Sequence, residues 1–138
     1  MSDKIFIDTN IWVYAHLEKG NDPKWQRANA LIEDEQQRYV ISTQVLNEYY
    51  SAMLKNKAPD DWIQDNLEAM MQFCDVQLVT LQVVRYAYHI RNRYSFSYWD
   101  SLVISSALNA GCSTLYSEDM QHEQIIERRL QVVNPFVI

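Results

Sequence analysis

Glycine and proline are scarce in this chain, with two and three copies in 138 residues. Connections between elements must therefore be short, and no linker, internal repeat or low-complexity tract divides the sequence. Cysteine is nearly absent as well: Cys74 and Cys112 are too few and too far apart for a disulfide framework or a zinc site. No stretch approaches the ~20 apolar residues of a membrane span, and the opening MSDKIFID lacks the long apolar region of a signal peptide. These absences predict a protein of the reducing cytoplasm with no membrane partner. Positive charge is the last shortage. Lys and Arg number 12 against 18 Asp and Glu, a formal charge of -6. The field of the whole chain then repels RNA, and any nucleic-acid role needs a local correction.

What the chain does have is core-forming residues. Hydrophobic residues make up 48% and charged ones 22%, the composition of a packed single domain over residues 1–138. A chain of this length buries about two thirds of its unfolded surface. Short β-branched or aromatic runs predict strands at Ile5–Ile7, Tyr39–Ile41, Val76–Val79, Thr114–Tyr116 and Val132–Val133. Between them, helical patterns cover 23–36, 43–56, 59–73, 81–94 and 97–112, with a final short helix expected over 122–129. Pro23 suits a first turn, Ser42 or Thr43 can cap, and Gly111 follows a helix end. Strands alternating with helices predict an α/β domain: a mainly parallel central sheet of four to five strands with helices on both faces. Ligands of such sheets bind beyond the carboxyl ends of the strands.

Four carboxylates fall near those ends. Asp8 follows the first strand directly, Glu48 lies about one turn into the helix after the second, Asp100 is in the first turn of the apolar helix 97–112, and Asp119 trails the fourth strand. Each has a plain structural explanation. Asp8 can cap a helix at Ile11, Glu48 can be a surface residue, Ser97 and Asp100 nearly form a capping box, and Asp119 suits a turn. Together they carry more weight, because carboxylates crowded at one edge repel one another and no Lys or Arg adjoins three of them in sequence. A divalent cation resolves that repulsion, and hard oxygen ligands select Mg²⁺ or Mn²⁺. Such an ion lowers the pKa of a bound water and supports phosphoryl chemistry.

At these residues the sequence resembles the PIN-domain ribonucleases, most closely the toxins of VapBC-type toxin–antitoxin pairs. The blocks that carry the resemblance are IDTNIWVYA, STQVLNEYY, YWDSLVISSALNAGC and TLYSEDMQH, in that order. The resemblance implies a three-layer α/β/α fold and a Mg²⁺- or Mn²⁺-dependent endoribonuclease. Asp8, Glu48, Asp100 and Asp119 match the acidic quartet, Thr9 and Asn10 the first polar motif, and Ser117 the hydroxyl before the last acid. Direct metal ligation falls to Asp8 and Asp100; Glu48 and Asp119 act through water or on a second ion and orient the attacking water. It further implies a tRNA or ribosomal RNA target, a small antitoxin partner and a homodimer. The alternatives within the fold are a non-toxin RNA-processing nuclease and an interaction module without activity.

Other signals are two-sided. Arg85, Arg91 and Arg93, interleaved with aromatics, suit a single-stranded RNA path, but Tyr86 and Ile90 at helical spacing read equally as core with the arginines on the solvated face. Lys55 and Lys57 suit a groove rim or plain solubility. His16, His89 and His122 lack zinc-ligand spacing; His122, close to Asp119, is an optional accessory acid or base. A haloacid-dehalogenase-like phosphotransferase would need a second acid where Asn10 stands, and a receiver domain would need an acidic pair and a late lysine that are not evident.

Overall fold

Ile5–Ile7 (β1) is short and apolar, and Asp8 ends it by capping a helix over Thr9–His16 (α1), its carboxylate accepting from Thr9 N. The computed structural model describes residues 3–17 and 21–137. Asp22 and Pro23 open α2 (Pro23–Ile32). Then come β2 (Tyr39–Ser42), α3 (Thr43–Lys55), α4 (Asp60–Phe73), β3 (Asp75–Gln77), α5 (Leu81–Tyr94), α6 (Tyr98–Asn109), β4 (Thr114–Tyr116), β5 (Ile125–Ile126) and β6 (Leu130–Val133). Ser42, Thr80 and Ser97 each accept from a backbone N–H in the first turn of the helix that follows, the orphan donors that caps exist to satisfy.

The sheet runs β3-β2-β1-β4-β6-β5. All pairings are parallel except β5 with β6. Every residue of β2 is buried, and since successive side chains point to opposite faces, both faces of the sheet are covered there, as parallel sheets require. α6 is buried from Ser101 to Leu108 without a break, so this helix lies inside the molecule. That setting explains its weak amphipathic pattern, and Ser105 Oγ repays its burial by donating to Val83 O at 2.7 Å. Among the described residues no helix is long and apolar enough to cross a membrane.

The α/β class and mainly parallel sheet agree with the sequence reading, with one added helix, one displaced strand and one correction that brings the sheet to six strands instead of four to five. α1 is an additional helix, and β3 is shifted back to Asp75–Gln77. The correction is the helix expected over 122–129. That segment instead holds β5, which pairs antiparallel with β6 in the register Ile126↔Leu130. The turn between them places Glu127 and Arg128 at φ 52 and 58, with Arg129 N donating to Ile126 O at 3.1 Å. Two consecutive left-handed residues match the twist of a hairpin, but such turns normally announce themselves with Asn-Gly or Asp-Gly. Here the strain is offset by the Glu127 carboxylate, which accepts from Tyr86 and Tyr94 hydroxyls at 3.1 and 3.2 Å and contacts His89 Nε2 at 3.0 Å.

Burial raises the Glu127 carboxyl, but these bonds and the nearby Arg93 together outweigh it and hold the group below its ordinary range. Glu127→Ala is therefore expected to lower stability by about 1–2 kcal/mol, the scale of a hydrogen-bonded charge in a partly solvated setting. Because the folded pKa is depressed, this contribution is present at neutral pH and fades as pH falls through the carboxylate range. Urea unfolding of both proteins at neutral and acidic pH checks it.

Candidate active site

The order of the sheet reverses at β1: the chain moves from β1 outward to β2 and β3, and returns to the other side of β1 as β4. Such a switch point opens a crevice at the carboxyl ends of the two central strands. Asp8 emerges there from β1 and Ser117 from β4, and Ser117 Oγ donates to Asp8 Oδ2 at 2.9 Å. Asp8 Oδ1 accepts from Thr9 N at 2.8 Å. The same Ser117 Oγ accepts from Asp119 N at 3.2 Å, so one hydroxyl ties the first and last acids to the sheet.

Two neighbouring residues of α1 hold the other ends. Thr9 Oγ1 donates to Glu48 Oε1 at 2.9 Å and Asn10 Nδ2 donates to Asp119 Oδ2 at 2.9 Å. Asp100 comes from the first turn of α6, where its backbone N donates to Ser97 Oγ. Asp8, Glu48, Asp100 and Asp119 all line one cavity of about 380 Å³, together with Thr9 and Asn10. Among the described residues, Lys55 is the only cationic one on its wall.

The electrostatics of this cavity are those of uncompensated negative charge. Asp8 is only 6% exposed, and burial pushes its carboxyl up to about 7 even though Thr9 and Ser117 oppose the shift; Asp119 and Glu48 push it further. Burial also raises Asp119, with Asp100, Glu118 and Glu48 adding repulsion. Asp100 is raised by burial against the pull of Ser97. Glu118, next in sequence to Asp119, is different. It turns away to Lys24 Nζ at 2.8 Å and to the Tyr14 hydroxyl, and its pKa is lowered, its partners outweighing burial.

A family model described as the PIN domain matches residues 5–127. The chain belongs to the PIN-domain family. A search of curated proteins finds no match, but solved structures match along nearly the whole PIN domain. VapC20 of Mycobacterium tuberculosis, described as a sarcin-ricin loop cleaving toxin, has a TM-score of 0.68 at 19% identity over 83% of this chain and 89% of its own. A toxin-antitoxin complex from Klebsiella pneumoniae gives 0.74 at 16% identity, covering 97% and 99%. VapBC2 of Rickettsia felis, bound to a fragment of promoter DNA, gives 0.66 at 20%, covering 95% and 99%. At these identities the likeness is one of fold.

The sequence-derived residues divide clearly. The four acids, Thr9 and Asn10 line the PIN-domain cavity, and Ser117 is wholly buried behind it. The three arginines do not line it. Arg85 borders a separate cavity beside His89 and Arg129, Arg91 donates to Phe96 O at 2.7 Å, and Arg93 lies 3.6 Å from Glu127. His122 Nδ1 accepts from Asn134 N at 3.0 Å and is likewise not on the cavity wall. Lys55 lines it, whereas Lys57 sits in the turn after α3 at φ 61. Two polar wall residues, Gln44 and Ser51, had no sequence signal, while Trp99 on the same wall closes the aromatic and arginine tract 85–99 that suited an RNA path. Helical spacing connects Gln44, Glu48, Ser51 and Lys55 to one face of α3, which is the pattern that could have found them.

The donor set suits a hard divalent cation: carboxylate oxygens without thiolate or imidazole, one of them buried, and short of positive charge. Among the described residues no three acids stand close enough to grip an ion by themselves. Mg²⁺ sites commonly use only one or two carboxylates and complete their shell with water and substrate phosphate.

Proposed function

We propose that this PIN domain is a Mg²⁺- or Mn²⁺-dependent endoribonuclease that hydrolyses RNA phosphodiester bonds as the toxin of a toxin–antitoxin pair. The observation that carries the reading is the raised, buried Asp8 in a cavity ringed by three further acids. An ordinary structural aspartate with two donors would be driven down, not up. The descriptions of the similar solved structures, toxins and toxin–antitoxin complexes, support the biological role. A tRNA or ribosomal RNA loop is the proposed target, a small antitoxin the partner, a homodimer the assembly and the cytoplasm the setting.

Asp8 and Asp100 would hold the ion directly, and Glu48 and Asp119 would act through water or on a second ion. The bound cation would supply charge to the scissile phosphate and acidify a water. Thr9 fixes the direction of Glu48, and Asn10 occupies Asp119 Oδ2. This leaves Asp119 Oδ1 to orient the attacking water and receive its proton, a task its raised pKa favours. Ser117 and Thr9 N keep the Asp8 carboxylate from rotating.

Purified protein is expected to cut RNA with Mg²⁺ or Mn²⁺ and to stop in excess EDTA. Sequencing of RNA ends after brief induction in cells identifies the target. Undiminished cleavage in EDTA, or by a folded Asp8→Asn, Asp100→Asn double variant, would overturn the assignment.

A further inference from the structure

We propose that the cavity adjoining the acid pocket receives an unpaired nucleobase of the RNA next to the scissile phosphate, with Trp99 as its stacking platform. The inference rests on the ribonuclease reading and adds what the substrate must present. The second cavity, about 490 Å³, shares Gln44, Glu48, Ser51 and Trp99 with the acid pocket. Among the described residues, none on its wall is ionisable apart from the shared Glu48; Asn47, Val79 and Leu102 complete much of its lining. A strongly acidic pocket therefore opens directly into a neutral, partly apolar one. That division mirrors a nucleotide, whose phosphate needs a cation and whose base is neutral with apolar faces.

Trp99 is 61% exposed, against 3% for Trp12, and neither Trp25 nor Trp62 is in the exposed class. An indole left in water at the junction of two cavities is unexpected for packing and suited to stacking, since every base offers a π-face. Its position is fixed. The Trp99 carbonyl accepts from Gln44 Nε2 at 3.2 Å, Tyr98 meets the indole edge-on at 5.5 Å, and the next residue is Asp100. The base platform and a metal-binding acid thus move as one piece of α6.

Gln44 supplies the second observation. A backbone carbonyl can only accept, so the amide nitrogen must face Trp99 and Oε1 must face elsewhere. That oxygen is buried without a hydrogen-bond partner, in a side chain whose residue is 8% exposed. Gln44 lines both cavities, so this unsatisfied acceptor lies beside the site where a base amino or imino N–H would be placed. A base inside a duplex has both faces covered by its neighbours, so the site selects a loop or other single-stranded segment.

The test is a titration of the cleavage-deficient Asp8→Asn protein with oligoadenylate and oligouridylate, following tryptophan emission. Saturable quenching is expected, and Trp99→Phe in the same background should remove it while Trp12, Trp25 and Trp62 remain. With the active protein, Trp99→Ala should lower kcat/KM about 5- to 100-fold, mostly through KM, as the loss of one stacked base predicts. Trp99→Phe should recover most of it. An abasic nucleotide at the cut should cost wild type the same factor and cost Trp99→Ala nothing more. Quenching that survives Trp99→Phe, or wild-type constants for Trp99→Ala, would overturn the base site while leaving the nuclease reading intact. Quenching by the antitoxin but by neither oligonucleotide would also overturn it and assign the cavity to the protein partner. If wild type cuts no RNA with either metal, the nuclease reading fails, and the titration still decides whether the cavity takes a base.

Discussion

Asp8→Asn is expected to lower RNA cleavage by about 10²- to 10³-fold, the loss typical when one preorganised charge-handling group is removed, and at the same time to make the metal-free protein more stable at pH 8. The two effects have one cause. Folding transfers Asp8 from water, where its pKa is 3.8, to a buried site where it is about 7. Well below pH 3.8 the group is protonated in both states and costs nothing. Between these values the folded protein holds a proton that the unfolded chain has lost, so stability declines as pH rises. Above pH 7 the folded state carries the full charge, and the decline ends. A shift of this size corresponds to at most about 4 kcal/mol. Asparagine keeps an oxygen for Thr9 N and an amide that can donate to Ser117 Oγ, so the substitution removes the charge with little change of shape. Urea midpoints at about pH 3 and at pH 8 decide the matter: the variant should match wild type at the acidic pH, below the unfolded pKa of 3.8, and exceed it at pH 8. Equal midpoints at both would show that Asp8 is not held as a costly anion.

The second large effect is that of the ion. Mn²⁺ added to wild type at pH 8 should raise the thermal midpoint saturably, because a ligand bound only by the folded state stabilises it by about 2.7 kcal/mol at a hundred times its Kd. For a domain of this size that is about 10 °C. The increase should shrink at pH 5, where Asp8 retains its proton and ligation must first displace it. It should be absent from Asp8→Asn, whose metal-free midpoint is already high. Calorimetric titration with Mn²⁺ gives the stoichiometry directly. A midpoint that does not respond to Mn²⁺ at pH 8 would remove the metal from the mechanism.

The acidic residues were legible before any coordinates because each follows a strand or opens a helix, and a parallel sheet brings such positions to one rim. Thr9, Asn10 and Ser117 were legible for the same reason, adjoining those acids in sequence. The C-terminal hairpin was not. Its turn rests on Glu127 and Arg128, residues that do not advertise left-handed backbone, and is held by hydroxyls and an imidazole from α5 that lie more than 30 positions earlier. Ile125–Ile126 is too short to show a period of two. The arginine tract misled differently: charge and aromatic content describe what α5 contains, and only its packing shows that Arg85, Arg91 and Arg93 do not line the acid pocket. Trp99, the last aromatic of that tract, is the member that does line the pocket, and only its exposure separates it from aromatics packed in the core.

The threonine and asparagine at the start of α1 brace two acids that come from distant parts of the chain, 39 and 109 residues away. Like spacers in a frame, they keep the opening at its working width before any ion arrives. Ion entry then requires shedding of water more than rearrangement of the chain, and the rate of exchange between magnesium and manganese should follow the lability of their hydration shells.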